Sequence, residues 1–316
     1  MSVAVHTGWY LLAFEEELAE GLTPLRLGER RLLAVRDGSR VRVFDGLCPH
    51  RGAALGHGGT LDGDCVICPF HGKRVALGDT ARRWSVAEYD VERAGAAVFV
   101  RLSPDDDRGF QRTIKEVADG NLVVGAVVQP VAVPSEYVVE NAFDAEHFHQ
   151  VHLVPRVIGM RVAPGPDGEL TIEGEFRTKA PPWERERRLD FASRFYARAF
   201  SPSLVVTELG TADAPYTIIT GAVPTPEGCV GRVAIALPPE RAEALDALVH
   251  GARYAFEQDR VVWDHLDPGA PQRYDAGDRP VLAFRRFCAT FGAAAPPGAP
   301  AAPTGLAAAT GTEGSA

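Results

Sequence analysis

Two short loops constrain this chain more than any other feature: Cys48-Pro49-His50 and, after 17 intervening residues, Cys68-Pro69-Phe70-His71. Each offers one thiolate and one imidazole, so together they supply four coordination positions. The chain must therefore fold so that the loops face one another. A two-iron, two-sulfur centre with two cysteines on one iron and two histidines on the other fits this set, and its neutral imidazoles raise the potential above that of an all-cysteine cluster. A Cys2His2 zinc site uses the same ligand types, although zinc fingers pair cysteines first and histidines later, whereas here each loop mixes the two. Glycines crowd the same stretch, among them Gly52, Gly63 and Gly72. They allow the close approach and positive φ values that a loop wrapped around an inorganic centre requires.

A second constellation lies about a hundred residues on. Asp144, His147 and His152 stand in the pattern Asp-x-x-His-x-x-x-x-His, and Glu257, Asp259 and Asp264 offer a carboxylate far downstream. Two imidazoles and one carboxylate on one face of ferrous iron leave the opposite face open, as dioxygen chemistry requires. His147 and His152 are five apart, roughly 140° around a regular helix. That separation predicts a π-bulge or local unwinding. His149 points away from His147 on a regular helix and is left out as a ligand.

The surroundings predict an α+β protein: an N-terminal all-β domain, then a domain with an antiparallel sheet flanked by helices. Arg31 to Val35 and Arg40 to Phe44 are extended runs joined by Asp37-Gly38, a hairpin signal. Strands are also expected over Trp84 to Val91 and Ala97 to Leu102, and Ser103 to Asp107 reads as a linker. Ala142 to Leu153 looks helical, Glu169 to Val223 mostly antiparallel strand, and Pro239 to Asp264 is the strongest helix, with Ala244, Leu245, Leu248, Val249 and Ala252 at helical spacing. The Ala/Gly/Pro/Thr composition after Phe291 predicts a disordered tail. The net charge of −9 argues against nucleic acid as a partner. No apolar run is long enough to span a bilayer, and Met1 to Tyr10 has no signal-peptide pattern, so a cytoplasmic location with no membrane partner is expected. Five widely spread cysteines there point to metal binding or buried thiols rather than disulfides.

The stretch Cys48-Pro49-His50-Arg51-Gly52, Gly63-Asp64 and Cys68-Pro69-Phe70-His71-Gly72, with Gly8-Trp9-Tyr10 ahead of it, resembles the Rieske domain of ring-hydroxylating and related oxygenases. Ala53, Ala54 and Phe70 leave no place for the disulfide that joins the ligand loops in respiratory Rieske proteins, and Cys65 reads as a structural thiol. Lys73-Arg74 stand where the family often has an aromatic residue; with Arg51 they suggest a basic rim for an acidic ferredoxin. The resemblance extends to the family's catalytic domain, and the segments Asn141 to His152 and Pro280 to Phe287 are similar to the 3-ketosteroid 9α-hydroxylase and cholesterol 7-desaturase branch. It implies a Rieske [2Fe-2S] domain over 1–115 held by Cys48, His50, Cys68 and His71, and a mononuclear iron domain over 116–292 with His147, His152 and Asp259 as ligands. The tail occupies 293–316. Asp144 would bridge an iron-ligating histidine to a cluster histidine of a neighbouring subunit. Also implied are a head-to-tail homotrimer, O2 as co-substrate and electrons from NAD(P)H through a separate flavin reductase or ferredoxin, since no Gly-x-Gly-x-x-Gly motif is present. An apolar, steroid-like or polycyclic small molecule is the expected substrate, in a pocket between sheet and helix; for Phe143, Val154, Ile158, Met160 and Val206, core packing is the first reading and lining that pocket the other. Hydroxylation, desaturation and oxidative demethylation all fit such a site. A non-catalytic electron carrier is the rival reading.

Overall fold

The computed structural model describes residues 5–178 and 191–294. Ten strands come first: β1 (Trp9–Phe14), β2 (Gly21–Leu27), β3 (Arg30–Asp37), β4 (Arg40–Asp45), β5 (Thr60–Asp62), β6 (Cys65–Ile67), β7 (Arg74–Leu77), β8 (Ser85–Val86), β9 (Glu88–Ala94) and β10 (Ala97–Arg101). Six of them form a sheet in the order β1-β10-β9-β4-β3-β2, and β5-β6-β7-β8 form a smaller one. The β3–β4 hairpin turns at Gly38, whose φ of 57° suits a residue without Cβ. The expected strand over Trp84 to Val91 is interrupted, with β8 pairing β7 and β9 pairing β4 and β10.

The second part contains α1 (Phe110–Gly120), β11 (Leu122–Val131), α2 (Ser135–Glu140), a 3-10 turn (Asn141–Phe143), α3 (Ala145–Gln150), β12 (Arg156–Pro164), β13 (Leu170–Thr178), β14 (Phe191–Ser201), β15 (Leu204–Thr211), β16 (Ala214–Thr225), β17 (Gly228–Leu237), α4 (Leu245–Trp263) and α5 (Arg279–Cys288). Its seven strands form one antiparallel sheet, β11-β17-β16-β15-β14-β13-β12. The α+β architecture is as expected. The helix expected over Ala142 to Leu153 is broken at Asp144 and ends at Gln150. The tail lies outside the described residues from 295 onward.

The two sheets share one core. Trp9, Phe14 and Phe99 pack with Phe110 and Ile114 of α1 and with Leu204, Ile219 and Ala234 of the large sheet. Gly221 permits the approach, because a Cβ there would lie 2.5 Å from Leu11 Cβ. Across the same junction Arg232 of β17, 7% exposed, meets the Glu17 carboxylate at 2.8 and 3.0 Å. The junction is therefore a packed interface, and the cluster loops stand on a base fixed to the large sheet.

Candidate metal centres

The two cysteine loops prove to be backbone copies of one another. In each, the glycine four residues after the cysteine donates its N–H to the cysteine carbonyl, Gly52 to Cys48 at 2.8 Å and Gly72 to Cys68 at 3.0 Å. In each, the cysteine N–H returns to the residue after that glycine, Cys48 to Ala53 at 2.8 Å and Cys68 to Lys73 at 2.9 Å. Both glycines are left-handed, at φ 73° and 64°. Only the histidine differs, two residues after Cys48 and three after Cys68.

Both sulfurs are buried at 2% exposure and the thiols are free. Burial opposes ionisation of both; it wins at Cys48, whose pKa is raised despite the backbone N–H groups of His50 and Arg51, whereas at Cys68 the N–H groups of Phe70 and His71 and the neighbouring Cys48 hold the pKa below its ordinary value. The His50 and His71 rings lie 4.8 Å apart. His50 Nδ1 is buried without a hydrogen-bond partner, as a ring nitrogen reserved for a ligand would be. This donor set fits a two-iron, two-sulfur cluster. Around its rim Arg51 lies 5.7 Å from the ring of Phe70, while Lys73 and Arg83 flank Trp84 at 5.9 and 4.8 Å. Trp84 itself meets His50 edge-on at 5.2 Å. Arg74, expected in the rim, instead pairs with Asp62. Cys65 is buried and hydrogen-bonds Asp64 at 3.4 Å.

The second centre is assembled by α3 and α4. Asp144 caps α3: its Oδ1 accepts the N–H groups of Glu146 at 3.0 Å and His147 at 3.1 Å. That cap breaks the longer helix and aims His147 inward. The helix is over before His152, and Leu153 takes a left-handed φ of 55°. Unwinding therefore brings the two imidazoles together, and no π-bulge is present among the described residues. On α4, Phe256, Asp259 and Trp263 share the buried stripe, so one carboxylate stands where the helix otherwise buries apolar groups. Glu257 and Asp264 instead pair with Arg260 at 2.6 and 2.5 Å. His149 is exposed and bonds the Val154 carbonyl.

His147 Nε2 and His152 Nε2 are 3.0 Å apart, and Asp259 Oδ1 lies 3.5 and 3.3 Å from them. For metal–ligand bonds of about 2.1 Å, adjacent donors stand about 3.0 Å apart at right angles and about 3.4 Å apart at tetrahedral angles. The other ring nitrogens are engaged: His147 Nδ1 with the Asp144 carbonyl at 2.9 Å, His152 Nδ1 with Gln258 Oε1 at 3.1 Å. With both Nδ1 atoms donating, three acceptors face one another and Asp259 Oδ1 is left without a donor. Without a cation, relief comes from an added proton or from a ring proton moved to Nε2. Burial works against charge on His152, yet Asp259 and Gln258 hold its pKa above the ordinary histidine value. Burial likewise opposes the Asp259 charge, and the two imidazoles hold that carboxyl low. The three side chains form a group able to hold one metal ion.

Residues 8–84 match the family described as Rieske [2Fe-2S] domain. The N-terminal unit is a Rieske domain. Over 100 residues the chain is 35% identical to cholesterol 7-desaturase nvd of Bombyx mori, which covers 26% of this chain and 22% of that protein. It is 22% identical over 224 residues to the oxygenase component of 3-ketosteroid-9-alpha-monooxygenase of Rhodococcus rhodochrous, covering 64% and 55%. The likeness to these relatives thus spans only part of their length. Dicamba monooxygenase superposes with a TM-score of 0.68 at 17% identity, covering 91% of this chain and 97% of that one. NdmB of Pseudomonas putida CBB5 gives 0.64 at 20%, covering 88% of each. Beyond the Rieske domain, the chain thus shares its whole fold with these two structures.

A cavity of about 370 Å³ reaches His147, Asp259 and Asp144, but its other walls are Tyr137, Glu140, Trp263, Tyr274 and Arg285 with the segment from Leu266 to Asp278. None of Phe143, Val154, Ile158, Met160 and Val206 lines it. Phe143 is fully buried against Phe284, and Val206 belongs to the core between the sheets. The aromatic packing nearest the imidazoles comes from Phe148, 4.3 Å from the His147 ring, with Phe176 and Phe195 buried behind it. Gln258, Trp84 and Arg83 were also missed as neighbours of the ligands. Only Gln258 carried a signal, its place beside Asp259 in the sequence.

Proposed function

We propose that this chain is the terminal oxygenase component of a multicomponent system, oxidising an apolar small molecule with O2 and electrons that originate in NAD(P)H. The observation that carries the reading is the triangle of His147 Nε2, His152 Nε2 and Asp259 Oδ1, three metal-ligating atoms brought together by α3, the turn that follows it and α4. When bound, the Rieske cluster supplies electrons one at a time and a ferrous ion supplies reactivity toward dioxygen. The chain's own residues hold, aim and shield. His147 and His152 present neutral nitrogens fixed by their Nδ1 partners, and Asp259 adds one negative charge. Phe148, backed by the buried Phe176 and Phe195, packs beside the imidazoles and keeps water from that side, while the cavity that reaches His147 and Asp259 is the place for the substrate.

Asp144 supports a route for electrons between copies of the chain. Its Oδ1 is committed to the α3 cap, whereas Oδ2 makes no hydrogen bond among the described residues and the side chain lines the cavity. In a head-to-tail trimer that oxygen would accept the exposed ring of His71 from a neighbouring copy. Arg51, Lys73 and Arg83, which form no ion pair among the described residues, would attract an acidic ferredoxin or reductase to the same tip.

Metal analysis, the electron paramagnetic resonance spectrum of the dithionite-reduced protein and oxygen uptake with a surrogate reductase and a sterol panel test the reading together. Three irons per chain, a Rieske-type signal and substrate-dependent oxygen uptake are expected. Two irons without oxygen uptake would make the chain an electron carrier, and a colourless zinc protein would reject both readings.

A further inference from the structure

Resting on the metal site proposed above, we propose that Gln258 is a positioning residue that keeps the site open to metal by fixing the proton of His152 on Nδ1. The two imidazoles are secured in different ways. His147 sits in the first turn of α3, and its Nδ1 faces a main-chain carbonyl, Asp144 O, at 2.9 Å. A carbonyl accepts only, so that tautomer is set by the backbone. His152 lies past the end of α3, beside the left-handed Leu153, where no helical carbonyl is in place to hold its ring. Its Nδ1 meets a side chain instead, Gln258 Oε1 at 3.1 Å.

The proton on His152 has two destinations. On Nδ1 it faces the Gln258 amide oxygen; on Nε2 it faces the Asp259 carboxylate, 3.3 Å away. A carboxylate is the stronger acceptor. Left alone, the proton would favour Nε2 and close the site as a histidine–aspartate hydrogen bond. Gln258 supplies the competing acceptor. Asp259 and Gln258 are consecutive residues of α4, so one helix delivers both the ligand and the group that turns His152 toward it. An amide rotated end for end would present its NH2 to Nδ1 and force the proton onto Nε2. Acceptor character at position 258, rather than size or polarity, is therefore what the site requires. Partners of this kind change metal affinity by about 10- to 100-fold when removed.

The test compares wild type, Gln258→Glu and Gln258→Leu as full-length, cluster-loaded protein stripped of its mononuclear ion. Fe(II) is titrated anaerobically against a competing chelator, and the cluster's electron paramagnetic resonance signal reports folding. Gln258→Glu keeps an acceptor and is expected to bind Fe(II) within about threefold of wild type. Gln258→Leu, of similar size without an acceptor, is expected to bind about 10- to 100-fold more weakly with an unchanged cluster signal. Should Gln258→Leu lose its cluster, Gln258→Asn, whose shorter arm withdraws the acceptor, takes its place with the same expectation. Leucine or asparagine binding Fe(II) as tightly as wild type, or glutamate failing alongside them, would overturn the inference. Wild type that holds no Fe(II) at all would refute the metal site itself, and the inference with it.

Discussion

Replacing Glu17 with glutamine tests whether the Rieske domain is locked to the catalytic sheet by a buried charge. Glu17 Oε2 accepts the Phe14 N–H at 2.7 Å and Arg232 Nε at 3.0 Å, while Oε1 accepts Arg232 Nη2 at 2.8 Å. A glutamine has one oxygen for these three donors, and its NH2 must face one of them. Removing one partner of a fully buried pair costs about 3–5 kcal/mol. The Glu17 side chain is 27% exposed, so the cost falls below that range, at about 2–3 kcal/mol. At roughly 2 °C per kcal/mol for a chain of this size, Tm should fall by about 5 °C. The exposed neighbour Glu16→Gln should stay within about 0.5 kcal/mol. Burial raises the pKa of Glu17, but Arg232 and the Phe14 N–H outweigh it and hold the carboxyl below its ordinary value. A folded pKa below the unfolded one places this stabilisation above the ordinary carboxylate range and removes it as pH falls through the folded value. The difference between wild type and Glu17→Gln melts should accordingly shrink on acidification. Equal Tm values at pH 7 would show that Arg232 finds compensation elsewhere and that the junction does not depend on this pair.

Asp259→Asn should lose the third iron while keeping the cluster, giving two irons per chain by metal analysis and no substrate-dependent oxygen uptake; retention of three would move the carboxylate ligand elsewhere. Reversing Arg51, Lys73 and Arg83 together to glutamate should slow reduction of the cluster by an acidic ferredoxin and remove its dependence on ionic strength in stopped-flow measurements. Rates that are unchanged and insensitive to salt would sink the docking role.

The candidate metal ligands could be picked out because coordination chemistry dictates residue type and short spacing. The two cysteine loops could be read without knowing that they repeat one backbone. Asp259 was readable in hindsight from its place on the buried stripe of α4 between Phe256 and Trp263, which separates it from Glu257 and Asp264. The cavity was not legible. Apolar residues such as Phe143 and Val206 carry the same signal whether they face a substrate or a core, and here packing claimed them. Much of the true wall comes from the segment after α4, which has no periodicity to read. The break at Asp144 was obscured because a cap residue inside a helical pattern looks like an ordinary surface charge until the hydrogen bonds to Glu146 and His147 are seen.

Asp144 carries a consequence for anyone altering this molecule. One of its oxygens holds the first turn of α3 in place, and that turn sets the direction in which His147 points. Truncating the side chain would fray the turn and swing the imidazole, so on the proposed electron route a loss of electron delivery and a loss of iron would arrive together and be indistinguishable. Asparagine retains an oxygen for the turn while withdrawing the negative charge, and so separates the scaffold's share from that of the circuit.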